Sequence, residues 1–266
     1  MKNSLLWEIE ADNRTAGYLF GSMHLSKPED AHLVSEADLL LDRVQSLVLE
    51  FNPGEVRPEE IAGLQQLPHD MRLSELMDER RYERVRWRIK RFSGVDIIQF
   101  DQFPPLYILN VIYSEFLTGE KSFSMDFHLY QKAVRRNIPV SGLESVASQS
   151  KLINEIPIDF QIRALQDCAR RMRTHREKIL RSAEMYRLQE IHQLYRTNKK
   201  QMGPLRRTLI YERNFNMADR IEEHLRSQSA LIAVGAGHLS GKFGLIRLLK
   251  RCGYRLKGVK NIKTTT

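Results

Sequence analysis

The chain has 266 residues, 42% of them hydrophobic and 28% charged, with 42 Lys+Arg against 33 Asp+Glu for a formal charge of +9. That balance excludes a disordered chain and is ample for a large α/β core. No run reaches the roughly 18 apolar residues of a membrane span, and Cys168 and Cys252 have neither the spacing of a disulfide framework nor that of a zinc knuckle.

Strands are expected over 5–10, 17–20, 46–51, 138–143, 230–234 and 254–259, where short apolar runs end in polar or glycine-rich turns. The first two flank Ala11-Asp12-Asn13-Arg14-Thr15, whose Asp and Asn suit a hairpin loop. Ser26-Lys27-Pro28-Glu29 reads as a helix start, with the helix running to about Arg43 and burying Leu33, Ala37, Leu40 and Leu41. Residues 55–136 are mostly helical in pattern, with Pro104-Pro105 and Ser124-Met125-Asp126 opening two of the helices. From Pro157 to about Arg226 the pattern is again helical, with breaks near Thr174 and at Gly203-Pro204, and reads as a long helical insertion. The whole is read as one domain over 1–266 of mixed α/β class: a central mixed sheet flanked by helices, with an N-terminal hairpin.

The excess charge is local. Residues 163–213 hold 14 Lys/Arg against 5 Asp/Glu, and the rest of the chain sums to zero. A second basic helix, over 80–91, interleaves Tyr82 and Trp87. Charge-rich helices are usually solvated faces, so nucleic acid is not the expected partner; a peptide or small-molecule substrate is. The N-terminus leads straight into a strand without a signal-peptide pattern, and the expected location is cytoplasmic.

Two copies of one phrase carry the chemistry. Gly21-Ser22-Met23-His24-Leu25-Ser26 and Gly235-Ala236-Gly237-His238-Leu239-Ser240 each follow a strand. With 14 Gly and 8 His in the chain, chance supplies roughly 0.4 Gly-x-x-His matches; two in the same context exceed it. Glu50 and Glu144 also lie at strand ends, so parallel neighbours would bring His24, Glu50, Glu144 and His238 to one edge. Two imidazoles and a carboxylate suit a divalent metal with an open water position, leaving a second carboxylate as base. Arg213-Asn214 is a further pair able to bind a carboxylate or a developing oxyanion. The chain has no His-Glu-x-x-His, Gly-x-Ser-x-Gly or EF-hand pattern, and the Gly235 to Lys242 segment misses the phosphate-loop spacing.

The ordered set Gly21-Ser22-Met23-His24, Leu47-Val48-Leu49-Glu50, Ile138-Pro139-Val140-Ser141-Gly142-Leu143-Glu144-Ser145, Glu212-Arg213-Asn214 with Met217-Ala218, and Val234-Gly235-Ala236-Gly237-His238-Leu239 resembles the TraB/GumN family over about 5–259. That family is related to the Tiki metalloproteases and, more distantly, to erythromycin esterase-like and ChaN-like proteins. The resemblance implies a mixed α/β fold with the active centre at the two Gly-x-x-His segments, and divalent-metal-dependent peptide cleavage as in Tiki-like members. Carried over by motif, His24, Glu50 and His238 are the metal-binding and catalytic residues, with Glu144, Arg213 and Asn214 in support. Ser22 stands where family members more often have Thr, and the hydroxyl is kept. The expectation is a peptidase-like hydrolase using Mn²⁺, Co²⁺ or Zn²⁺, which the donor set does not separate. Two alternatives stand beside it: a metal-independent, esterase-like hydrolase with a histidine base, and a non-catalytic regulatory protein that binds haem or another ligand.

Overall fold

The computed structural model describes residues 3–23, 30–55, 66–67, 71–118 and 124–259. Two compact units emerge, one from Met1–Gly54, Ser122–Ser145 and Ser182–Thr266, the other from Glu55–Lys121 and Val146–Arg181.

The first unit is built on a sheet. Strands β1 (Leu6–Ala11) and β2 (Arg14–Ser22) form an antiparallel hairpin. Its turn puts Asp12 and Asn13 at positive φ of 49° and 58°, a region their short polar side chains tolerate. With β3 (Ser46–Leu49), β4 (Val140–Gly142), β5 (Ala230–Gly235) and β6 (Arg255–Gly258), the described strands take the order β4-β3-β5-β2-β1-β6. The pairs β4–β3, β3–β5 and β5–β2 are parallel. β5 lies between two of these strands with Ala230 to Val234 all buried, which is why it reads as an unbroken apolar run.

Helices complete this core by spacing their apolar residues three and four apart. Leu33, Val34 and Ala37 come from Ala31–Asp38; Met125, Leu129 and Ala133 from Met125–Arg135; Met217, Ala218 and Ile221 from Arg213–Ser227. Ser124 caps its helix as read, its Oγ accepting from Phe127 N at 3.2 Å. The Ser26 helix start lies outside the described residues. The helix beyond it ends at Asp38 and gives way to a tight turn over Leu41–Arg43, a change that lets consecutive Leu40 and Leu41 both face the core.

The second unit is helical among its described residues. Helices Glu79–Ser93, Pro105–Thr118 and Ile158–Arg170 share a core of Tyr82, Val85, Ile89, Ile108, Ile112 and Leu165. Asp78 caps the first of them through Arg81 N, and Gly94 ends it at φ 79°, the left-handed geometry that glycine adopts without strain. The stretch 157–226, read as one insertion, consists of Ile158–Arg170, Met172–Arg187, Ile191–Met202, a π-helical turn Arg207–Glu212 and Arg213–Ser227. These helices are shared between the two units.

Candidate active site

In the first unit, parallel pairing sends β2, β5, β3 and β4 the same way, so the residues following them emerge at one end of the sheet. Gly235 pairs with Ser22, and Leu49 with both Ala233 and Gly142. The β3–β4 ladder continues past the strand ends, with Leu143 N donating to Leu49 O at 2.9 Å and Glu144 N to Glu50 O at 2.8 Å. Backbone register thus sets the two glutamates side by side.

Arg213 answers them. Its Nε donates to both Glu144 carboxylate oxygens at 3.0 and 3.1 Å, its Nη2 donates to Glu144 Oε2 at 2.7 Å and to Glu50 Oε1, and its Nη1 donates to Leu209 O at 3.3 Å. Gly235 N donates to Glu50 Oε2 at 3.3 Å. Side-chain exposures are 15% for Arg213, 6% for Glu50 and 9% for Glu144. Burial opposes the guanidinium charge, but hydrogen bonds and Coulomb attraction from Glu144 and Glu50 outweigh it and raise the Arg213 pKa above its ordinary value. Two carboxylates thus share one guanidinium at this edge.

The next residue serves the second motif. Asn214 is fully buried. Its Nδ2 donates to His238 O at 3.2 Å and Phe243 O at 2.7 Å, and its Oδ1 meets His238 Nδ1 at 2.5 Å. Two carbonyl acceptors demand the amide nitrogen, which settles the amide orientation. Oδ1 is then an acceptor, so His238 Nδ1 carries the proton and the neutral ring has its lone pair on Nε2. A π-helical turn, Arg207–Glu212, immediately precedes this pair; such turns are rare and cluster at functional sites.

The structure therefore joins Glu50, Glu144 and Arg213 in one cluster and Asn214 with His238 in another, with the Gly235 amide tying the β5 end to Glu50. His24 lies outside the described residues. Tyr186 Oη donates to Gly21 O at 2.8 Å, and Arg187 Nε donates to Asp30 Oδ1 at 2.8 Å. Gly21 itself is a strand residue. A Cβ there would meet the Leu239 side chain at 2.5 Å, so close packing of the two Gly-x-x-His segments accounts for this glycine. His192 also belongs here, its Nδ1 2.6 Å from Ser240 Oγ; the Leu-Ser common to both phrases was its only trace in the sequence.

Among the described residues, no three His, Cys, Asp or Glu side chains are grouped to hold a metal ion. Of the expected set, Glu50 is committed to Arg213 and the Gly235 amide, and His238 contributes one imidazole. The described donors around Glu50 and Glu144 fit a guanidinium, whose charge would repel a cation placed between them.

A family model described as TraB/PrgY/gumN matches residues 5–257. The chain belongs to the TraB/PrgY/gumN family. Membership spans both compact units, so the helical unit is part of the family's domain as much as the sheet is. No curated protein and no solved structure matches the chain. No helix among the described residues is long and apolar enough to cross a membrane.

Proposed function

We infer that this family member is a hydrolase acting on an ester or peptide carbonyl at the carboxyl edge of its parallel strands, with His238 as general base. The observation that carries the reading is the Asn214–His238 bond, which holds the imidazole in the tautomer whose Nε2 accepts a proton. In the forward step Nε2 takes a proton from water as the water oxygen adds to the carbonyl carbon. When the tetrahedral adduct collapses, the C–O or C–N bond breaks and the imidazolium returns its proton to the leaving group. Arg213 acts through Glu50 and Glu144 as a positioning residue, and Asn214 positions the base.

The metal-dependent peptidase expected from the sequence remains the competing reading, because the same Nε2 lone pair is also a metal ligand. One assay separates them: nitrophenyl esters and fluorogenic peptides are screened with and without a chelator and added Mn²⁺, Co²⁺ or Zn²⁺. With His238 as base, turnover survives chelation and His238→Gln lowers kcat at least about 100-fold. Retained activity in folded His238→Gln overturns the reading. Loss on chelation with recovery on adding metal transfers it to the metalloenzyme.

A further inference from the structure

The helix Glu79–Ser93 buries Tyr82, Val85 and Ile89, turns Trp87 and Arg91, four apart, to the opposite face, and carries Arg88 and Phe92 on its flank, where the Phe92 ring meets Phe116 edge-on at 6.2 Å. Trp87 is 60% exposed and Phe92 39%. Singly scattered surface apolar groups are ordinary; two rings on adjacent turns lining one groove are not. The groove's other wall is the break between helices Ile158–Arg170 and Met172–Arg187, which contributes Arg170, Arg171 and Arg173. Five arginines line it, and no carboxylate among the described residues does.

Two carboxylates of the unit are taken up by cations, one of them by groove arginines. Asp96 binds Arg86 at 2.7 Å and Lys90 at 2.8 Å, while Asp167 is divided among Arg170, Arg171 and His175 at 3.3 to 3.6 Å. Arg88, Arg91 and Arg173 form none of the ion pairs found among the described residues. Arg91 instead lies over the Trp87 ring, 5.3 Å from its centroid, a cation–π contact that fixes the attitude of an exposed indole.

We propose that this groove binds single-stranded nucleic acid, with Trp87 and Phe92 stacking on bases and Arg88, Arg91 and Arg173 contacting phosphates. Guanidinium groups without carboxylate partners match phosphate oxygens, and exposed ring faces set among cations match a strand in which bases alternate with phosphates. An acidic peptide would use the cations and leave the rings without a role. An anionic membrane would favour a convex apolar face, and here the rings line a concavity. On the same helix Arg86 and Lys90 have their own carboxylate in Asp96.

The test uses the full chain with labelled 12-nucleotide oligo(dT) and oligo(U), read by anisotropy, and a Trp7→Phe version in which Trp87 is the remaining indole of the two. Binding should quench Trp87 emission. Trp87→Ala should weaken affinity at least about fivefold, and the combined Arg88→Gln, Arg91→Gln, Arg173→Gln chain should flatten the log affinity against log salt slope by about 2. Lys199→Gln with Lys200→Gln, two exposed lysines of the other unit, should change neither. Anisotropy reads the unmodified chain too, so a poorly folding Trp7→Phe version leaves the test intact. The proposal is overturned if neither oligonucleotide binds at low salt, or if the lysine control weakens binding as much as the groove variants. It also falls if polyglutamate of equal charge displaces the strand equally well, or if phosphatidylserine vesicles bind through Trp87 and oligonucleotides do not.

Discussion

Arginine plays opposite parts in the two units of this chain. In the sheet unit Arg213 is largely buried and meets two carboxylates through four hydrogen bonds. In the helical unit Arg88, Arg91 and Arg173 line an open groove that holds no carboxylate among the described residues. A guanidinium removed from water needs counter-charge, and the partners it collects lock a geometry. One left at the surface without a partner contributes little to folding and keeps its donors for a ligand. The same side chain is thus part of the scaffold in one unit and part of a recognition surface in the other.

That contrast is sharpest in the variants with the largest expected effect. Arg213→Met leaves Glu50 and Glu144 buried beside each other without counter-charge, and should lower stability by about 3–5 kcal/mol in urea unfolding. Glu144→Gln keeps a one-to-one Arg213–Glu50 pair and should lose less than half as much. Equal midpoints for both variants and the parent would mean that this cluster does not hold the sheet edge.

Asn214→Ala comes next, with an expected loss of about 2–3 kcal/mol as two carbonyls and a ring N–H lose their partner. Nitrogen NMR supplies a readout that stability alone does not: His238 should show a protonated Nδ1 at neutral pH in the parent and mixed tautomers in the variant. A parent ring protonated on Nε2 instead would contradict the assigned network.

Asp96→Asn should give a smaller loss, because its partners Arg86 and Lys90 are partly solvated. Hydrogen bonds from Arg86 and Lys90 hold the Asp96 carboxyl well below the usual carboxylate range. The native state therefore binds this proton less readily than the unfolded chain, whose Asp titrates near about 3.9. Its contribution is complete above that value and fades as pH falls through the lower native one. Urea midpoints of parent and variant should converge between neutral pH and about pH 2; a constant gap would rule out the ion pair as the cause. Trp87→Ala completes the series with the smallest stability change, within about 0.5 kcal/mol, against its clear effect on oligonucleotide binding.

Much of the sheet was legible because its signals are local. Apolar runs at 46–51 and 230–234 correspond to β3 and β5, and strand-end residues mark the carboxyl edge. Boundaries moved where a backbone group was missing or a core contact intervened. The strand expected from Ile138 is assigned only from Val140, since Pro139 has no N–H for the ladder and takes part through its carbonyl, which accepts from Leu47 N. Gly21, just past the strand expected over 17–20, lies within β2 and is a packing glycine, a role that rests on Leu239, more than two hundred residues away in the chain.

The site was only half legible for the same reason. Glu50, Glu144, Arg213, Asn214 and His238 can each be picked out from strand ends and motif order, and the family follows from that order. Which of them touch cannot. Arg213 and Glu50 are 163 positions apart, and Arg213 and Asn214, which directly follow a π-helical turn, have separate partners.

The sequence by itself determined the family, the mixed α/β class and the residue types gathered at the sheet's carboxyl edge, because these depend on short-range periodicity and on order along the chain. Only the tertiary structure decided that Arg213 joins the two glutamates, that Asn214 selects the His238 tautomer, and that Trp87 faces a groove with arginines from another helix pair. Each of those depends on distance and burial, and side-chain chemistry acquires its direction from them.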